Sequence, residues 1–175
     1  MAPEDRIIRN DFGNALLQKG QFDKAIAQFQ RALDSGVEDA YTAHIHYNLG
    51  NALRRNKLVG EAVAHYQEAL KREPRLALAQ NQLAWVLATC SDASLRNGSK
   101  AVQLAQQASE LSGGRNPVIL HTLAAAYAEN GQFSEAVETA KSALELAASQ
   151  GNPALVQVLP NEIALYEAGS PYHER

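Results

Sequence analysis

The sequence predicts an all-α solenoid of four helix pairs followed by a C-terminal capping helix. Three observations predict this fold class. A sequence motif recurs along the chain, apolar residues lie three or four positions apart within each copy, and small residues recur at corresponding positions. The chain has 175 residues, of which 46% are hydrophobic and 20% charged. That length fits a single domain, which we predict to be one continuous array over 1–175.

The repeated motif is clearest in the second helix of each predicted pair. The stretches DKAIAQFQRAL, GEAVAHYQEAL and SEAVETAKSAL begin at positions 23, 60 and 134, and a shorter copy, KAVQLAQQA, begins at position 100. In the first helices, GNAL occurs at positions 13 and 50. We predict repeats at about 4–37, 41–75, 76–114 and 116–150, with an insertion at 89–100 in the third and a capping helix and tail at 153–175.

Each element follows from local pattern. The first helices carry large apolar residues at helical spacing, such as Leu49 and Leu53, and the second helices combine alanines with an aromatic such as Phe29. Small residues such as Gly13 and Gly50 fall where two helix backbones approach closely. For the last helix, Asn152 and Pro153 predict the start, Pro160 a bend, and Tyr172 a contact that pins the tail.

These residues together resemble the tetratricopeptide repeat family, whose pattern is W-x2-L-G-x2-Y, then A-x3-F, then A and P. The second repeat shows the match best, with Leu49, Gly50, Leu53, Ala62, Tyr66, Ala69 and Pro74 in the family's slots. The resemblance covers roughly residues 4–150 and implies a right-handed solenoid. The spacings between equivalent first-helix residues are 37, 34 and 40, which depart from the family period of about 34.

The resemblance also implies a binding surface. In this family the first helix of each repeat lines a concave face, which here would bind an extended peptide or partner segment. The residues assigned to it are Asn10, Asn14, Tyr47, Asn48, Asn51, Arg54, Asn81, Trp85 and His121. Asparagine side chains both donate and accept, so they can pair with a peptide backbone. Trp85 has an alternative place under the insertion, because a large aromatic is usually mostly buried.

Two segments resemble the C-terminal part of bacterial arrays of this family, namely 83–98 and 163–172. The resemblance implies an alternative function as the accessory C-terminal domain of a longer protein, including one linked to a membrane glycosyltransferase. A further alternative is a structural array. Since no cap is predicted before the first helix, its edge would be incompletely covered and would hold either upstream repeats of a longer solenoid or another copy of the chain.

Composition and motifs exclude several other classes. The net charge of −3 and the single Cys argue against a nucleic-acid partner and a multi-cysteine metal site. No histidine pair has the helical spacing of a metal site, and neither a nucleophile elbow nor a phosphate-binding loop is present. We therefore expect a protein-interaction scaffold without catalytic activity, cofactor or metal. It would not insert into a membrane and would be cytoplasmic, or else the soluble tail of a longer membrane protein.

Overall fold

The predicted all-α class is confirmed. The computed structural model describes residues 3–34, 36–37 and 39–174, which contain α-helices and one turn of 3-10 helix but no strand. The helices are α1 (Pro3–Gln18), α2 (Phe22–Leu33), α3 (Ala40–Arg55), α4 (Val59–Arg72), α5 (Ala77–Thr89), α6 (Gly98–Leu111), α7 (Pro117–Glu129), α8 (Phe133–Ser149) and α9 (Pro153–Glu167). The 3-10 turn, Ala93–Leu95, lies inside the predicted insertion.

The helices group into two compact units, Met1–Ala79 and Gln80–Arg175, whose boundary falls within α5. In unit 1, α1 packs on α2, α2 on α3 and α3 on α4. In unit 2, α6 packs on α7, α7 on α8 and α8 on α9. Each helix therefore contacts mainly its sequence neighbours, as in repeat proteins. The continuity of the array over the whole chain stays a prediction.

Helix starts follow the capping signals in the sequence. The Asn116 side chain accepts from the amides of α7's first turn, and Asn152 accepts from the Leu155 amide at 3.3 Å. Pro117 and Pro153 follow these caps, where a missing N–H costs little. The predicted start of the capping helix is thus confirmed, and α9 continues as one helix past Pro160.

The turns between paired helices use left-handed backbone. Gly20 and Gly131 have φ values of 72° and 78°, as their sequence positions predict. The equivalent turn between α3 and α4 has Lys57 at φ 67° instead. A side chain in this conformation costs about 1–2 kcal/mol, so this turn is strained where the others are not.

Unit 1 is built around two buried rings, each packed against a first-helix glycine. Phe29 in α2 and Tyr66 in α4 are both 0% exposed. A methyl group added at Gly13 would lie 2.6 Å from the Phe29 ring, and one at Gly50 would lie 2.6 Å from the Tyr66 ring. The glycines therefore let each ring fill the space between the paired helices.

A buried arginine joins α1 to α3. The Arg6 guanidinium, in a residue 7% exposed, donates to Asp39 Oδ1 at 3.1 Å and lies 5.1 Å from the centre of the Tyr41 ring. Hydrogen bonding to Arg6 is the main cause that lowers the pKa of Asp39 to about 2. Asp39 also caps α3, because its side chain accepts from the Thr42 amide. The same carboxylate therefore stabilises the start of α3 and binds Arg6 of α1.

The core of unit 2 is made of alanines and the capping helix. The alanines of α7 and α8 pack with four buried residues of α9, which are Leu155, Leu159, Ile163 and Tyr166. Tyr172, beyond the helix, packs against the same cluster, so the prediction that it pins the tail is confirmed. None of the helices that the structure describes has the length and apolar character to cross a bilayer.

Candidate functional site

The predicted site residues of unit 1 lie on α1 and α3. Asn10 and Asn14 are one turn apart on α1, and Tyr47, Asn51 and Arg54 follow helical spacing on α3. The Asn48 Nδ2 donates to Asn10 Oδ1 at 2.9 Å, which brings the polar faces of the two helices together. Among the predicted residues of this unit, Asn10 and Asn48 are therefore in direct contact.

These residues differ in how accessible they are. Asn10 is only 5% exposed, and Asn51 Oδ1 accepts from the Tyr66 hydroxyl at 2.9 Å. Both are therefore occupied with holding the fold. The remaining four are partly exposed, and we call them the unit-1 surface: Asn14, Tyr47, Asn48 and Arg54.

One predicted site residue of unit 2, Trp85, contacts the C-terminal tail, residues 170–174. Trp85 in α5 is half-buried, and its indole N–H donates to Glu174 Oε1 at 2.8 Å. The Tyr172 ring lies 6.2 Å from the Trp85 ring, measured between centroids. The Glu174 amide donates to the carbonyl of Thr89, the last residue of α5, at 2.7 Å. Trp85 is thus covered by the tail.

Glu129, at the end of α7, connects the tail to the predicted insertion. Its Oε2 lies 2.7 Å from His173 Nε2, and its Oε1 accepts from Arg96 Nε at 3.0 Å. Arg96 in turn donates to the Cys90 carbonyl at 2.8 Å. The insertion and the tail are therefore tied to the same carboxylate, which is 15% exposed.

His121 is hydrogen-bonded to Glu162 of the capping helix, α9. Its ring lies 4.7 Å from that of Trp85, while its Nε2 donates to Glu162 Oε2 at 2.7 Å. The Tyr166 hydroxyl also donates to this oxygen, at 3.3 Å. Burial is the main cause that raises the pKa of Tyr166, so the phenol stays a neutral donor. His121 and Glu162 are 8% and 5% exposed, so this network is internal.

Asn81 lies one turn before Trp85 on the same face of α5. It is 6% exposed, and its Oδ1 accepts no hydrogen bond within the described part of the chain. A buried acceptor without a donor is unusual in a folded protein and costs stability unless a donor reaches it. Asn81 is therefore the predicted site residue with unused hydrogen-bonding capacity.

Sequence reasoning missed Glu162, which acts from α9. A signal for Glu162 was present, since it lies between Leu159, Ile163 and Tyr166 on the buried stripe of α9. It also missed a histidine contact between α3 and α4, where the Nδ1 atoms of His46 and His65 are 2.9 Å apart. Burial is the main cause that lowers the pKa of His65. In the residues that the structure describes, no three metal-binding side chains form a cluster.

Two family models match the chain, both described as tetratricopeptide repeat. One matches residues 10–77 and the other residues 118–150. Together they span the first two helix pairs and the fourth. No curated protein shows a significant sequence match.

Several solved structures share the fold at low sequence identity. MamA from Desulfovibrio magneticus RS-1, residues 41 to the end, has a TM-score of 0.69 at 14% identity, covering 94% of this chain and 96% of that one. Another MamA crystal structure has a TM-score of 0.67 at 20% identity, covering 85% and 82%. TTC0263, a thermophilic repeat protein from Thermus thermophilus, has a TM-score of 0.63 at 20% identity, covering 94% and 98%. At these identities the likeness establishes the fold.

Proposed function

Because this chain belongs to the tetratricopeptide repeat family, we propose that it is a protein-interaction scaffold that binds an extended segment of a partner protein on its first-helix faces. Repeat solenoids bind proteins on such surfaces. The observation that carries the proposal is the seating of residues 170–174 on Trp85 and Thr89. Residues 172–174, which form neither helix nor strand, are held there by one main-chain bond and by side-chain contacts.

The unit-1 surface is a second proposed binding surface, considered within its own unit. Asn14 offers an amide group that can pair with a peptide in either sense, and Asn48, whose Nδ2 donates to Asn10, offers its Oδ1 as an acceptor. Tyr47 provides rigid aromatic area, and Arg54 a planar cation suited to carboxylates. The proposal involves binding alone and requires no cofactor and no catalytic step.

Replacing the polar groups of the unit-1 surface tests the proposal. The triple change Asn14→Ala/Asn48→Ala/Arg54→Ala removes two amides and one guanidinium. Each lost hydrogen bond contributes about 0.5–1.5 kcal/mol, so affinity for a partner should fall at least about tenfold. The partner is first captured from a lysate of the source cells, and its affinity for wild type and variant is then measured by calorimetry.

The matched control is Gln30→Ala/Arg31→Ala/Gln67→Ala. It also removes two amides and one guanidinium, but from exposed positions on the second helices α2 and α4. This control should bind as wild type does. Equal weakening by both triples, or weakening by neither, would contradict binding on the first-helix face.

A second candidate function, self-association, is favoured by the outer face of α1. Ile8 and Phe12 are 65% and 53% exposed, whereas their repeat equivalents in α3, Ile45 and Leu49, are 1% and 0% exposed. In α3 this face is covered by the preceding second helix, α2. We propose that a second copy of the chain covers the corresponding face of α1.

Charged replacements at this face separate the two functions. If copies associate through α1, the wild-type mass rises above 18.9 kDa with concentration in light scattering. Ile8→Lys/Phe12→Lys should then raise the dissociation constant of the self-associated form at least about tenfold, because burying each apolar side chain contributes about 1.5–3 kcal/mol. A wild type that stays monomeric at high concentration would contradict this function and leave partner binding intact.

A further inference from the structure

The C-terminal tail contacts unit 2 as a bound peptide would. Residues 170–174 form no helix or strand, and they include Pro171, which favours an extended chain. Consecutive side chains contact different elements of the unit: Tyr172 and Glu174 reach Trp85 in α5, and His173 reaches Glu129 in α7. One main-chain bond, from the Glu174 amide to the Thr89 carbonyl, fixes the backbone. Main-chain bonds combined with side-chain contacts are the usual basis of extended-peptide recognition.

We infer that Trp85, Thr89 and Glu129, with His121 packed against Trp85, form a binding site for a partner segment with an aromatic, a hydrogen-bond-donating and an acidic residue in succession, and that the chain's own tail occupies this site in cis. The inference rests on the proposed function and specifies the ligand chemistry and regulation of its unit-2 part. We call these four residues the tail site.

The chemistry of each contact defines the ligand. The Trp85 indole can only donate a hydrogen bond, so it requires an acceptor such as the Glu174 carboxylate. The Glu129 carboxylate requires a donor, which His173 supplies. The Trp85 ring, which His121 approaches to 4.7 Å, offers an aromatic surface, and the Tyr172 ring lies 6.2 Å from it. A segment with these three groups in order would reproduce the side-chain contacts of the tail with Trp85 and Glu129.

Asn81 gives a longer ligand an advantage over the tail. It continues the Trp85 face by one helical turn, and its buried Oδ1 lacks a donor within the described residues. A partner segment that extends past the tail contacts and supplies an N–H to Asn81 would remove that burial cost. The tail can therefore be displaced by a segment with the same core chemistry and additional residues.

Occupation in cis lowers the affinity of the site for any segment in trans. A short tether holds its ligand at an effective concentration in the millimolar range. The affinity observed in trans equals the intrinsic affinity multiplied by the fraction of molecules whose site is open. Releasing the tail should therefore tighten binding in trans.

The test uses a fluorescein-labelled peptide with the sequence of residues 168–175, titrated by anisotropy into full-length protein. It should bind Tyr172→Ala/Glu174→Ala at least about tenfold more tightly than wild type. Glu167→Ala, which removes a carboxylate on α9 that pairs with Lys141, should behave as wild type. A peptide carrying the two alanine changes should bind none of the proteins. Failure of the tail-released variant to bind the unmodified peptide more tightly than wild type would overturn the inference.

Trp85 provides a second measurement, because it is the single Trp of the chain. The lone indole N–H signal in a ¹H–¹⁵N spectrum should move in Glu174→Ala and return toward its wild-type position when the peptide is added. An unmoved signal overturns the inference. A purely structural tail would lower the thermal midpoint without creating a site for the peptide, which also overturns it.

The inference and the proposed function fail separately. If the peptide does not bind but Asn14→Ala/Asn48→Ala/Arg54→Ala still weakens a captured partner, the proposed function stands without the tail site. If the peptide binds and that triple has no effect, the tail site stands without the unit-1 surface.

Discussion

Replacing Glu162 by alanine should destabilise unit 2 by about 2–6 kcal/mol, because each of two buried donors would lose its acceptor at a cost of about 1–3 kcal/mol. Glu162 is 5% exposed, and His121 and Tyr166 both direct a donor at its Oε2. The substitution would leave those two donors buried without an acceptor, and it would also leave space between α9 and α7. The free energy of unfolding, measured by urea denaturation, reports the loss.

The matched control is Glu167→Ala on the same helix. Glu167 pairs with Lys141 at 2.9 Å, but the two side chains are 53% and 55% exposed. Because surface ion pairs contribute about 0–1 kcal/mol, this change should have little effect. Similar losses for the two variants would show that the internal network does not hold the capping helix.

The second large effect is expected for Gly50→Ala. The added methyl would lie 2.6 Å from the Tyr66 ring, which is fully buried and has its hydroxyl bonded to Asn51. Since the ring is held at both ends, the helices must separate, at a cost of about 1–3 kcal/mol for overpacking. The gain in helix propensity, about 0.5–1 kcal/mol, offsets only part of this cost.

Gly60→Ala provides the comparison, because it places the same methyl in a helix with no atom within 4 Å. This variant should be as stable as wild type or slightly more stable. The thermal midpoint and the free energy of unfolding of the two variants distinguish the effects. A Gly50→Ala protein as stable as Gly60→Ala would contradict the close approach of α3 and α4.

The elements that the sequence predicts well are those set by local chemistry. The start of α9 at Asn152 and Pro153 depends on capping within one turn, and the Gly20 turn depends on one residue's backbone freedom. The left-handed Lys57 was not predictable in this way, since lysine gives no local signal for that conformation. Lys57 takes this conformation at the C-terminus of α3, where the Leu58 amide donates to the Leu53 carbonyl at 2.9 Å, as the Gln21 amide donates to the Leu16 carbonyl after α1.

The candidate site was less predictable, because its contacts join distant parts of the chain. The bond from Trp85 to Glu174 spans 89 positions, and no periodic pattern relates the two. His121 matched a first-helix surface position by repeat alignment, yet it is buried and donates its hydrogen to Glu162 on α9. Repeat alignment identifies which helix face a residue occupies, but it does not show that a later segment of the chain covers that face.

The central claim is that first-helix faces bind an extended segment. Its most direct test is the change in ¹H–¹⁵N signals of the full-length chain when a captured partner is added. We predict shifts at Asn14 and Asn48, and displacement of the Trp85 indole signal as the tail leaves. Shifts confined to the second helices α2 and α4, or to Ile8 and Phe12 on the outer face of α1, would contradict the claim.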